Sequence, residues 1–248
     1  MQDTYTHIGF GDGFGSQYQQ LVTSYVVCGI QEHKFVYTPR DKMEHNYGND
    51  PTFLNKIEHL MNLKNNIENS TNDAKILNYD QHRNWFEANV DHACTSHYFH
   101  QIKSFFWQNK ERNVFKNDKV NVAVHVRRPN PHDNRTLGTD TPDEYYLNII
   151  NNIQHQRTNK NLQIHIYSQG DVKDFQIYEA NNVVLHINES LSKTFIELVA
   201  ADILVTSASS FSYIAALLSD GEVYYKRFWH NPRKEWNVCQ IARFAQYE

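Results

Sequence analysis

From residue 120 onward, short apolar runs rich in β-branched residues alternate with longer segments whose apolar positions recur at helical spacing. This pattern predicts strands at 121–126, 162–167, 183–187, 202–206 and 222–226, with helices over 142–154, 171–180, 190–201 and 209–219. Pro142 followed by Asp143 and Glu144 is a helix start, because an N-terminus tolerates proline and favours acids. Strands and helices in alternation give a parallel sheet covered by helices, and right-handed crossovers make it a doubly wound half. The ligand crevice of such a sheet lies beyond the carboxyl ends of its strands.

The first 118 residues are less regular. Glycines 9, 11, 13 and 15 form a turn that feeds a helix through residue 30, with Leu21, Val22, Tyr25, Val26 and Gly29 marking one face. A strand is predicted within 32–39, and helices at 53–63 and 96–115. The polar run at 116–119 separates an aromatic helix from the regular half, so the expected domains are 1–118 and 119–248. A final helix over 238–248 is expected to cross back onto the first domain.

Composition narrows the function classes. A chain of 248 residues that is 40% hydrophobic and 13% aromatic fills real cores. A net charge of −4 gives no global basic field for nucleic acid or an anionic membrane, so any phosphate site must be local. Cys28, Cys94 and Cys239 are odd in number and widely spaced, which argues against a disulfide scaffold and for a reducing, cytoplasmic setting. The first residues lack a basic start and apolar run, and no stretch approaches the roughly 18 apolar residues that span a bilayer.

Three constellations carry candidate chemistry. Arg127 and Arg128 end a predicted strand, and alternation lets one face the crevice while the other braces it. A guanidinium suits phosphate because its rigid fork donates paired hydrogen bonds and keeps its charge. A pair of surface arginines is the competing reading. The segment 202–219 then runs a strand into Ser207, Ser209, Ser210 and Ser212 at the start of a helix, where hydroxyls and backbone N–H groups form an anion site. One serine suffices for an ordinary cap. Finally, the alternate glycines permit close approach of backbone to a ligand, although glycine turns are common on their own.

These residues resemble a known group. His125-Val126-Arg127-Arg128-Pro129-Asn130 is similar to the His-x-Arg-Arg motif, followed by an acid or amide, of the GT-B-fold fucosyltransferases, which include the α1,2-, α1,6- and protein O-fucosyltransferases. Residues 203–219 resemble their Ser-Ser-Phe-Ser segment, and 9–22 resemble their glycine turn and Gln-bearing helix. The resemblance implies two Rossmann-like lobes facing a cleft, and inverting, metal-independent transfer of L-fucose from GDP-fucose to a carbohydrate hydroxyl. It implies that Arg127 holds the β-phosphate, that His125 sits near the nucleotide, and that Ser209, Ser210 and Phe211 bind diphosphate and ribose. It places Gly13, Gly15, Ser16 and Gln17 on the acceptor side, and makes Arg128 a brace. The expected partners are a nucleotide sugar and a carbohydrate acceptor, without nucleic acid. No Asp-x-Asp pair of the metal-using kind occurs in the sequence.

The chain departs from the group at Asn130, where many relatives carry Asp, and an amide cannot act as a base. Asp133 is the first candidate base and Asp12 the second, with His132 behind them; a turn aspartate capping its own backbone is the competing reading for both acids. Alternatives at the level of function are another nucleotide sugar, or a silent binding module. His97 and His100 share a helical face but lack the ligands that would complete a zinc site. Phe228, Trp229 and Trp236 are expected to pack together at a domain edge.

Overall fold

The computed structural model describes residues 3–9, 11–46, 48–128 and 141–239. The chain divides into two compact units, Met1–Val114 and Phe115–Glu248. The division falls just before the polar run at 116–119 because the Phe115 ring packs on His165 of the second unit, centroids 4.6 Å apart.

In the first unit, strands β1 (Thr4–Thr6), β2 (Lys34–Phe35) and β3 (Lys75–Ile76) form a parallel sheet in the order β2-β1-β3. Helix α1 (Phe14–Ile30) joins β1 to β2. The sequence pattern predicts one apolar face for α1, yet it is buried all round, including Gln17, Gln19, Gln20, Thr23 and Ser24. Several of those polar groups find local partners, as where Ser24 Oγ donates to the Gln20 carbonyl at 2.7 Å and Gln20 Nε2 to Ser16 Oγ at 3.2 Å, while Gln17 Oε1 is buried without one among the described residues. Helix α2 (Phe53–Met61) packs on α5 (His97–Trp107), which lies against α1 together with α3 (Tyr79–Ala88) and α4 (Val90–Thr95). The helix expected over 96–115 stops at Trp107, and the strand expected within 32–39 is only two residues long.

The second unit holds β4 (Val120–His125), β5 (Leu162–Ser168), β6 (Val183–Ile187), β7 (Ile203–Val205), β8 (Glu222–Lys226) and β9 (Asn237–Cys239). All are parallel, in the order β6-β5-β4-β7-β8-β9. Counted from β4, this is the 3-2-1-4-5-6 order of a dinucleotide-binding sheet, and its order reverses between β4 and β7. The α/β class expected from the sequence is therefore present, with a Rossmann-like second unit. Val122, Val124 and Val126 share one face with Ile164, Ile166, Ile203 and Val205, packed on Tyr146, Ile149 and Ile153 of α6 (Asp143–Gln156). The alternate residues point to the other face, where α7 (Leu191–Ala200) and α8 (Ser210–Leu218) lie.

Two expectations in this half are corrected. Residues 171–180 do not form an α-helix: Val172–Tyr178 is a 3₁₀ helix, in which only Phe175 and Tyr178 are buried. Burial at a spacing of three suits three residues per turn, and Asp171 caps it by accepting from Lys173 N–H at 3.0 Å. The predicted helix at 238–248 is wrong at its start. Val238 and Cys239 belong to β9, which pairs with Tyr225 and Lys226, because the outer edge of β8 offers unpaired backbone groups. Residues 240–248 lie outside the described residues. No described helix is long and apolar enough to cross a membrane.

Candidate functional site

The carboxyl ends of β4 and β7 lie side by side, and the residues that follow them build the candidate site. Alternation continues past the end of β4. Val126 turns to the α6 face, so His125 and Arg127 turn to the α8 face and Arg128 turns back toward α6. Arg127 Nη1 approaches the Ala208 carbonyl at 3.4 Å, which brings its guanidinium to the loop that opens α8. Arg128 instead pairs with Asp143, the first residue of α6, and stands over the Phe175 ring at 5.2 Å. Tyr178 OH donates to the same carboxylate.

After β7 the backbone passes through Thr206, Ser207 and Ala208, all buried, into α8. Ser209 is the cap: its hydroxyl accepts from Phe211 N–H at 3.2 Å. Ser212 Oγ receives Ser207 N–H at 3.2 Å and lies 3.3 Å from the carbonyls of Ser207 and Ser209. Ser207 Oγ lies 2.9 Å from His125 Nδ1, tying the end of β4 to the end of β7. Burial, with the Arg127 charge beside it, pushes the His125 pKa down to about 3, so this imidazole is neutral at physiological pH. Phe211 stands between His125 and Phe195, with centroids 5.3 Å from each.

Of the residues singled out in the second half of the sequence, His125, Arg127, Ser209, Ser210 and Phe211 come together in this one crevice. Ser207, Ser212 and His230 join them, and of these only His230 had no role read from sequence. Ser207 and Ser212 belong to the serine cluster, but their inward positions follow only from where α8 starts. His230 reaches Ser210 Oγ at 3.3 Å and stacks on Tyr213 at 4.5 Å. Its loop is pinned by Tyr225 OH donating to the His230 carbonyl at 2.7 Å and Tyr213 OH to that of Asn231 at 2.9 Å. Trp236 and Phe228 join this aromatic cluster, 5.3 Å and 6.0 Å from Tyr225, and Trp229 rests on Phe228 at 5.1 Å while staying 67% exposed. The pinned backbone turns its indole outward.

The glycine turn of the first unit closes on protein groups. A Cβ on Gly9 would lie 2.7 Å from Arg40 Nη1 and 2.8 Å from Gln17 Oε1, and one on Gly13 would lie 2.8 Å from the His45 ring. Gln17 is fully buried, and its amide donates to the carbonyls of Asp12 at 2.8 Å and Lys42 at 3.0 Å. Ser16 Oγ accepts from Gln20 Nε2 at 3.2 Å, and Gly15 is buried in the first turn of α1. Asp12 Oδ1 takes the Gly13 N–H at 2.7 Å, the geometry of a turn aspartate. Asn130, His132 and Asp133 lie outside the described residues. His97 and His100 sit on α5, and among the described residues no three metal-ligating side chains converge.

No known family profile and no curated protein matches the chain. The chain is similar to the solved structure of fucosyltransferase NodZ from Bradyrhizobium, at 8% identity and a TM-score of 0.47, over 88% of this chain and 93% of that one. It is similar also to POFUT1 in complex with GDP, at 13% identity and a TM-score of 0.46, over 89% and 95%. NodZ soaked with GDP-fucose aligns at 9% identity and a TM-score of 0.44, over 88% and 93%.

Proposed function

We propose that the protein is an inverting glycosyltransferase that binds the diphosphate of a nucleotide sugar in the crevice between β4 and β7 and transfers the sugar, L-fucose from GDP-fucose, to a carbohydrate hydroxyl. The observation that carries the reading is the convergence of Arg127 with the hydroxyl-lined start of α8 at the point where the strand order reverses. Sugar transfer passes through an oxocarbenium-like state as the diphosphate departs, so negative charge grows on the leaving group. Arg127 and the N-terminal amides of α8 supply fixed positive charge and donors there, without requiring a metal. The donor sugar follows from the motif resemblance; the crevice itself speaks for a diphosphate.

Inversion needs a base for the acceptor proton, and Asp133 takes that role in this proposal. Asp12 is second, since its carboxylate already serves the Gly13 amide. Titration of the protein with GDP, followed by GDP-release assays with GDP-fucose and a glycan panel, tests the whole. Arg127→Ala is expected to abolish turnover and weaken GDP binding, and unchanged binding refutes the phosphate role. Asp133→Asn is expected to slow transfer while leaving GDP affinity intact. Saturable GDP-fucose binding without acceptor-dependent release identifies a silent binding module instead, a reading favoured by Asn130 standing where many enzymes of the resembled group have an acid.

A further inference from the structure

The two ring nitrogens of His125 differ in their surroundings. Nδ1 lies 2.9 Å from Ser207 Oγ. Among the described residues Nε2 has no hydrogen-bond partner. A neutral imidazole carries one N–H, and its position is set by whatever bonds the opposite nitrogen. Ser207 is fully buried, so its hydroxyl proton must go to a protein acceptor. Among the described residues two are in reach: His125 Nδ1 at 2.9 Å and Ser212 Oγ at 3.3 Å. The Ser212 oxygen already receives the Ser207 N–H. The imidazole lone pair is the nearer and the more basic acceptor.

We propose that Ser207 is a positioning residue that holds His125 in the tautomer protonated on Nε2, so that β4 ends in a hydrogen-bond donor rather than a lone pair. The inference rests on reading the crevice as a diphosphate site, and it adds to that reading. A donor at this nitrogen complements a phosphate oxygen or a ribose hydroxyl, whereas the opposite tautomer presents electron density to an anion. Arg127 supplies charge, and Ser207, through His125, supplies direction.

The tautomer belongs to the free protein and is read without ligand. In full-length protein labelled with [15N]histidine, long-range 1H–15N spectra at neutral pH are expected to show the His125 Nε2 as protonated and Nδ1 as an acceptor, with the signal assigned by its loss in His125→Gln. Ser207→Ala is expected to convert it to a tautomer mixture, while Ser212→Ala, which leaves the His125 contact in place, preserves it. GDP titration gives the second readout. His125→Gln, whose amide stands where Nε2–H stands, is expected to retain affinity within about threefold, and His125→Asn, which mimics the other nitrogen, to lose about tenfold, the worth of one hydrogen bond to a charged group. A proton on Nδ1 in the unmodified protein overturns the proposal even if Ser207→Ala fails to fold. So does an unchanged tautomer in a folded Ser207→Ala. If instead the tautomer is as expected and GDP does not bind any form, the diphosphate reading fails and the positioning role of Ser207 stands.

Discussion

Arg127 and Arg128 are adjacent in sequence, yet their guanidinium groups part to opposite faces of the sheet, one to the Ala208 carbonyl ahead of α8 and the other to Asp143 at the start of α6. The same alternation that puts Val126 in the core divides the pair into one group near the crevice and one locked in the fold.

That division is testable at Asp143. Asp143→Ala leaves Arg128 and the Tyr178 hydroxyl without their shared acceptor in a half-buried setting. A loss of about 2–3 kcal/mol in stability is expected from denaturant titration. GDP affinity is expected to stay within about threefold, measured by calorimetry, since Arg127 is untouched. A stable variant that loses GDP would place Arg128 in the binding site.

Ser209 and Ser210 are expected to separate stability from binding. Ser209→Ala removes the cap of α8 and is expected to cost about 1 kcal/mol in thermal or chemical unfolding. Ser210 faces His230 and makes no capping bond, so Ser210→Ala is expected to leave the unfolding midpoint nearly unchanged while lowering GDP affinity. The reverse pattern would exchange their roles.

Gly221 enters β8 against the backbone of the α7–β7 turn. A Cβ there would lie 2.3 Å from the Ala201 carbonyl oxygen and 2.7 Å from that of Asp202, and main chain cannot swing aside as a side chain can. Gly221→Ala is expected to destabilise by about 2–3 kcal/mol or to prevent folding. A neutral result in a melting experiment would mean that the β7–β8 register differs from the one described.

Acid is expected to unfold the protein through its histidines. Burial pushes the pKa of His165 down to about 4, with His186 contributing through a contact at 3.0 Å; burial and Arg40 hold His7 at about 4 as well. In the unfolded chain these groups bind protons near their ordinary value of about 6.5, so below that pH the unfolded state takes up more protons than the native state. Stability is therefore complete above about 6.5 and falls as the pH drops toward 4, by about 3 kcal/mol for His165 alone. His165→Gln is expected to flatten the profile of melting temperature against pH across that interval, and an unaltered slope would assign the effect elsewhere.

The second unit was legible because its strands, five or more residues long in most cases, place β-branched residues at alternate positions, as Val120, Val122 and Val124 in β4 and Ile164 and Ile166 in β5, and each is followed by a segment of different period. The first unit was not. Two of its strands are two residues long, Lys34–Phe35 and Lys75–Ile76, too short for alternation to appear. Helix α3 escaped notice because Phe86 is its only buried residue, leaving no apolar stripe to read. The arginine and serine motifs are plain in the sequence and the structure brings them together, but the Ser207–His125 bond depends on β4 and β7 being neighbours, with the two residues 82 positions apart along the chain. Pattern within a segment carries no record of such pairing. The glycines were read as room for a ligand, whereas the groups that approach Gly9 and Gly13 are Arg40, Gln17 and His45, which are dispersed in sequence.

Strand β9 closes the margin of the second sheet, bonding the outer side of β8 through Tyr224, Tyr225 and Lys226. A ribosome must therefore pass residue 239 before that margin is capped, and a product truncated ahead of Asn237 bares three consecutive rungs on a strand whose Val223, Tyr224 and Tyr225 are otherwise buried. Such a fragment presents β8 as a bare edge strand open to pairing with another chain, so premature termination in this segment is expected to favour aggregation over a shorter working protein.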